Sequence, residues 1–498
     1  MTDQQMNWLK KLWSAVKGRD SWNDNFEAAC LAFQNGQFKE AEELFSAALA
    51  DLAERGKKHD PRLFSTLVCQ GACLRAQERF TDAENLLRQA VELREKQPST
   101  GIEDTAFAYK ELASCLYEAG KPEEVEDPAK KALELYQQIG EKSLDETAEC
   151  MLIYARTLIM SCRFGEAEPL LEKSLAIFEK SSADRTFEIA DALTCQAIVW
   201  NRKSEYQDAE ANLRKVLPLH SKLSGEDSIE VGRCMTELAA SLLSQSRFDE
   251  AEETFKGSLK LMKKLGSYES IDYADAVAGL ATCLRTQRKF DGALSLYQQA
   301  LGIYENCYGR DHDDIATVLT QLAVCHSEQE QFREAEQYFA RASNITEKLL
   351  GDDHFAVSDS IFNLANCYSF QKRYEEAVPL YKRAVDIVER RIGEQLDLAA
   401  KLTGLAYCFQ LQDKFSDAKP VYRRALEICE KHPETPDDEL TDNLIGLANC
   451  HLETGEYALA RPLYQRALEY KQNKFDPKDQ ELASRIETLL KHMEHTPV

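Results

Sequence analysis

An aromatic residue returns at a fixed interval through almost the whole of this chain, and that interval limits the fold more than any other feature. The positions are Phe38, Phe80, Phe164, Tyr206, Phe248, Phe290, Phe332, Tyr374, Phe415 and Tyr457, with Pro122 in the remaining slot. Successive steps are 42 residues, except for 41 between Tyr374 and Phe415. Three residues after each stands a small residue, from Ala41 to Ala460, with Val125 as the exception. Four further on comes a larger apolar residue in most units, such as Phe45 or Tyr464, and three beyond that a second small one, such as Ala48, Ser174 or Ala467. Offsets of 3, 4 and 3 mark one face of a helix. A second amphipathic stretch precedes each aromatic, clearest in "SDSIFNLANCYSFQKR" before Tyr374. Short polar links such as "QNGQ", "EAGK" and "ETGE" join the two stretches, with Gly suited to cap the first helix. Each of the eleven units is therefore expected to be a hairpin of a helix A and a helix B.

A single hairpin cannot bury its apolar face, whereas stacked hairpins build a continuous core and a long surface lined by A helices. The small–large spacing, with Ala or Gly nine residues before the aromatic and Ala three after it, resembles the tetratricopeptide repeat, whose usual period is about 34 residues. The longer period here is similar to the kinesin light chain branch of that family, as are "GRDHDDIATVLTQLAVC" at Gly309 and "GDDHFAVSDSIFNLANCY" at Gly351. The resemblance covers residues 21–474. It implies an all-α fold, a right-handed superhelical solenoid of stacked antiparallel helix pairs. Residues 1–20 are expected to form an amphipathic helix, with Trp8, Leu9, Leu12, Trp13 and Val16 opposite Lys10, Lys11 and Lys17, that covers the first repeat or, alternatively, docks on a partner or an anionic membrane surface. Residues 475–498 are expected to hold a capping helix and tail, with Leu482, Ile486, Leu489 and Leu490 on one side.

Composition removes several function classes. Lys and Arg total 61 against 85 Asp and Glu, a net charge of −24 spread along the chain, which would repel a phosphate backbone; no nucleic acid is expected as a partner. No apolar run approaches the roughly 20 residues of a membrane span, so a cytoplasmic protein is expected, with membrane contact only through the N-terminal helix. Oligomeric state is not encoded in any of these features. The 15 cysteines contain no CxxC, and Cys73, Cys115, Cys283, Cys325, Cys367, Cys408 and Cys450 all stand seven residues before their aromatic. One recurring helical position is a packing position, and ligands at about 2.0–2.3 Å from a zinc ion could not be drawn from it in separate repeats. Asp-His pairs ending at His312 and His354 fall where helix A starts, as N-capping groups do, while His326 and His451 replace the aromatic held by Tyr368. No nucleophile elbow, P-loop or HExxH occurs. The chain is read as no enzyme, with no cofactor and no metal.

In tetratricopeptide arrays, positions 15, 11 and 8 before the aromatic face the concave side. Here the first holds the acids Glu149, Asp191, Asp275, Asp359 and Asp442, suited either to the positive end of helix A or to a ligand. The second holds Asn363, and the third Arg156, Asn366 and Asn449, with Arg285 five before its aromatic. The candidate peptide-binding groove is thus Asp359, Asn363, Asn366, Asp442, Asn449, Arg156 and Arg285. Asparagines suit a peptide backbone, and Asp359 a basic ligand residue. The expected function is a non-enzymatic scaffold or adaptor that binds a peptide or helix of a protein partner. The alternative is a ligand-gated regulatory sensor whose groove takes a small molecule or the chain's own N-terminal segment.

Overall fold

Every helix B begins on the repeating aromatic, or on Pro122 in its place. The computed structural model describes residues 21–54, 60–96, 101–161, 163–391, 393, 395–432, 435–472, 484 and 486–488. Among them 22 α-helices follow one another in consecutive pairs, with no strand. The chain divides into two compact units, residues 1–265 and 266–498.

The first unit holds six A–B pairs: α1 (Ser21–Gln34) with α2 (Phe38–Glu54), α3 (Pro61–Arg75) with α4 (Phe80–Glu95), α5 (Ile102–Glu118) with α6 (Pro122–Ile139), α7 (Leu144–Met160) with α8 (Phe164–Phe178), α9 (Thr186–Arg202) with α10 (Tyr206–Ser224), and α11 (Ile229–Ser244) with α12 (Phe248–Lys264). The second holds five: α13 (Ile271–Thr286) with α14 (Phe290–Tyr308), α15 (Asp313–Ser327) with α16 (Phe332–Leu350), α17 (Phe355–Phe370) with α18 (Tyr374–Arg391), α19 (Leu396–Gln410) with α20 (Phe415–Lys431), and α21 (Asp437–Glu453) with α22 (Tyr457–Gln472). Within each unit every helix lies against the next in the chain, and A helices of neighbouring pairs also meet.

The small residue three after the aromatic is fully enclosed in every pair, at 0% exposure from Ala41 to Ala460, because helix axes about 8–10 Å apart leave room there for little more than a methyl group. Two helix A positions of the second unit do not tolerate even a methyl group. A Cβ on Gly446 would stand 2.5 Å from the Tyr422 ring, and one on Gly404 would stand 2.6 Å from Phe362 and 3.1 Å from Tyr381. These glycines let the tyrosines of one pair press against helix A of the next.

The glycine cap expected of the links "QNGQ", "EAGK" and "ETGE" is present, at Gly36, Gly120 and Gly455, and the other described turns reach the same conformation without glycine. In every described turn the residue two before the aromatic is left-handed, but only Gly36, Gly120 and Gly455 are glycines; Glu78, Ser204, Ser246, Arg288, Glu330, Lys372 and Asp413 adopt φ of 59° to 66°. The turn is closed by a 6→1 backbone bond, as from Arg373 N–H to the Tyr368 carbonyl at 2.9 Å, which requires this conformation whatever the side chain. The third pair departs from the repeat pattern, yet α6 runs unbroken with Pro128 inside it. The N-terminal helix expected over residues 1–20 lies outside the described residues, as does most of the expected C-terminal cap. Of that cap, Ile486 is described and is buried in the core of the second unit.

Candidate functional site

The seven candidate residues lie on four helices, one of them in the first unit and three in the second. Arg156 lies on α7 of the first unit. Asp359, Asn363 and Asn366 share α17, Asp442 and Asn449 lie on α21, and α19 stands between those helices; Arg285 is on α13.

Asp359 is exposed, but it accepts a hydrogen bond from Lys401 Nζ of α19. Lys401 is only 5% exposed, lies 4.7 Å from the centre of the Phe362 ring and reaches Asp397 at 3.2 Å. A buried ammonium needs compensating carboxylates, so Asp359 already has its cation. A basic ligand residue at Asp359 would share that carboxylate with Lys401.

The asparagines eight before the aromatic have a structural partner. Tyr381 Oη donates to Asn366 Oδ1 at 2.6 Å, and Tyr464 Oη donates to Asn449 Oδ1 at 2.5 Å. Tyr297 and Thr282 form the same contact at 2.9 Å in the first pair of this unit. In these three pairs a tyrosine seven after the aromatic reaches a polar residue fifteen positions earlier on its own helix A, whereas Tyr422 donates to Gln410 Oε1 at 2.9 Å; each buried hydroxyl is satisfied. That leaves the Nδ2 donors of Asn366 and Asn449 without an acceptor among the described residues, and Asn363 makes no hydrogen bond there at all. All three are half-buried, and Asp442 is exposed. The signal for this pairing was present in the sequence as Tyr381 with Asn366 and Tyr464 with Asn449.

The arginines are also engaged. Arg285 pairs with Glu328 at 2.6 Å, and Arg156 with Asp191 at 3.1 Å while stacking 4.4 Å from the Tyr117 ring. Glu149, in the acidic series, is held by Lys110 at 2.6 Å and Arg185 at 3.1 Å; Arg185 also bonds Asp145 and Glu188. In the first unit the inner acids thus serve a buried ion-pair network. Lys110 and Arg185 were not singled out as site residues, although Lys110 interrupts an apolar stretch; Arg185 stands in a polar link, which carries no such signal.

The remaining chemistry is structural. Cys73, Cys115 and Cys367 direct Sγ at the carbonyl of the aromatic in the preceding pair, at 3.3, 3.5 and 2.9 Å. Burial pushes the Cys73, Cys115 and Cys367 thiols up to about 11, which keeps them protonated and unreactive. His312 and His354 are N-caps, each Nδ1 accepting from a backbone N–H at 3.3 Å. His326 stacks on Tyr338, and His451 is buried beside Glu456. Among the described residues no group of three His, Cys, Asp or Glu could hold a metal ion, and no helix is long and apolar enough to cross a membrane.

Residues 26–254 match the MalT-like TPR region family, and residues 236–306, 272–348, 329–390 and 397–473 match tetratricopeptide repeat families. No curated protein is significantly similar in sequence. Among solved structures, the apo quorum sensor NprR from B. thuringiensis is similar with a TM-score of 0.55 at 14% identity, over 74% of this chain and 99% of that one. Apo RapI gives 0.51 at 16% identity, over 74% and 97% of the two chains. The nearly identical TPR-like repeats of a kinesin light chain candidate from Podospora anserina align at 21% identity over 41% of this chain and 96% of theirs, with a TM-score of 0.37. At these identities the likeness is one of fold.

Proposed function

Because the chain belongs to the tetratricopeptide repeat family, we propose that it is a non-enzymatic scaffold that holds an extended peptide of a protein partner along the A helices of its second unit. The observation that carries this reading is the unspent amide donors of Asn363, Asn366 and Asn449. The oxygens of Asn366 and Asn449 are fixed by tyrosines, so their N–H groups are held in place on α17 and α21. Such donors match the carbonyls of a peptide backbone whatever its side chains, and fixing them beforehand reduces the ordering cost of binding. Arg285 and Asp442 lie on A helices of the same unit and extend the surface to either side. The protein is placed in the cytoplasm in this reading.

The test is the Asn363→Ala/Asn366→Ala variant, assayed against a peptide selected from a displayed library on the unaltered chain. A net hydrogen bond contributes about 0.5–1.5 kcal/mol, so loss of both should weaken binding roughly 5-fold to 150-fold. Tyr381→Phe is the control, since it removes the structural bond to Asn366 and leaves the amide. Unchanged affinity in a folded double variant would exclude this surface.

A further inference from the structure

We propose that the C-terminal ends of α17 and α19 form an anchor site for one bulky aliphatic or aromatic side chain of that peptide, with a Lys or Arg beside it in the ligand. This rests on the reading above and adds the ligand's side-chain chemistry. Phe370, Tyr407 and Leu411 are 56%, 44% and 38% exposed. Phe370 and Leu411 hold the same repeat position, four before the aromatic, on neighbouring A helices. Tyr407 precedes Leu411 by one turn and shares its face. The same position on the other A helices of this unit carries Thr286, Glu328 and Glu453, so the apolar character is confined to two pairs. A lone exposed apolar residue is ordinary; three on adjoining faces are not. Phe370 is also held in place, its ring stacked on Phe332 with centroids 5.2 Å apart.

What surrounds the patch selects the occupant. Asn366 stands one turn before Phe370 and Asn449 lies on the next A helix beyond α19, so the apolar surface is bordered by amide donors. An extended peptide satisfies both, offering carbonyls to the amides and a side chain to the patch. Charge sets the neighbouring residue. Glu328 is matched by Arg285, whereas the exposed Glu453 on α21 has no ion pair among the described residues. A cation in the ligand would meet it.

The experiment pans a phage-displayed random peptide library on the full chain. Enriched sequences should carry Leu, Phe, Trp or Met within two positions of Lys or Arg. A synthetic winner should bind at least about tenfold more weakly to Phe370→Ser/Leu411→Ser, and Glu453→Gln should weaken it only while its basic residue is present. Circular dichroism melting checks that the variants fold, with Leu411→Asn alone as the milder substitute. Enriched peptides that depend on Asn363 and Asn366 but not on Phe370 and Leu411 would overturn the anchor and leave the groove standing. Peptides indifferent to both sets, or no enrichment, would overturn both.

Discussion

A side chain in the left-handed region brings Cβ close to the following carbonyl, at a cost of about 1–2 kcal/mol. Seven A–B turns carry that cost on Glu, Ser, Arg, Lys or Asp. Glycine would remove it, offset in part by the greater freedom glycine has in the unfolded chain, about 0.5–1 kcal/mol. Glu330→Gly and Lys372→Gly should therefore each stabilise the protein by up to about 1 kcal/mol in urea unfolding. Asp413→Gly should gain less, because a short polar side chain tolerates this region better. Equal gains at all three would indicate that the turn, not the side chain, sets the cost. The tyrosine–asparagine pairs show the same economy in another form: one residue satisfies a buried hydroxyl and keeps its remaining donors on the surface.

Between elements, the joints of the stack follow a charge rule. The Arg before the aromatic bridges a Glu four residues after the preceding aromatic and an acid in its own helix B. Arg79 bonds Glu42 and Asp82, Arg163 bonds Glu126 and Glu166, Arg247 bonds Glu210 and Glu250, and Arg373 bonds Glu336 and Glu376. At the last joint the signs are exchanged, with Glu456 before the aromatic and Lys419 on the preceding helix B, 2.6 Å apart. A misplaced last pair would bring glutamate to glutamate, so the reversal favours the native order of pairs. Lys419→Glu should lower the melting temperature more than Lys419→Ala, and Lys419→Glu/Glu456→Lys should recover most of the loss. Failure of the double exchange to recover stability would deny the joint this role.

At the scale of the whole molecule these joints make stability depend on acid. Hydrogen bonds from Lys130 and Arg163 hold Glu126 down at about 2, and those from Lys419 and His451 hold Glu456 at about 2, against an ordinary 4.5. A depressed carboxylate stabilises the folded state above its unfolded value, and that contribution fades as pH falls towards the folded value. Glu118, Glu146 and Glu439 are shifted upwards by burial and act in the opposite sense, since protonation relieves them. Calorimetry should thus find a melting temperature that declines little near pH 4.5 and steeply from there towards pH 2. A flat profile over that range would remove the joints as a source of stability.

The repeat interval determined where every helix B begins and which residues are enclosed, from Phe38 and Ala41 to Tyr457 and Ala460. Those outcomes depend on contacts three and four residues apart and on stacking one unit against its copy, and both are written as periodicity. The candidate surface was legible only as a set of positions. That Asp359 pairs with Lys401, 42 residues away, that Asn366 is held by Tyr381, and that Phe370 and Leu411 remain exposed were decided by the tertiary structure. Charge and hydrogen-bonding partners are chosen by the reach of side chains across neighbouring helices, and a sequence position fixes the face a residue occupies without fixing what meets it there.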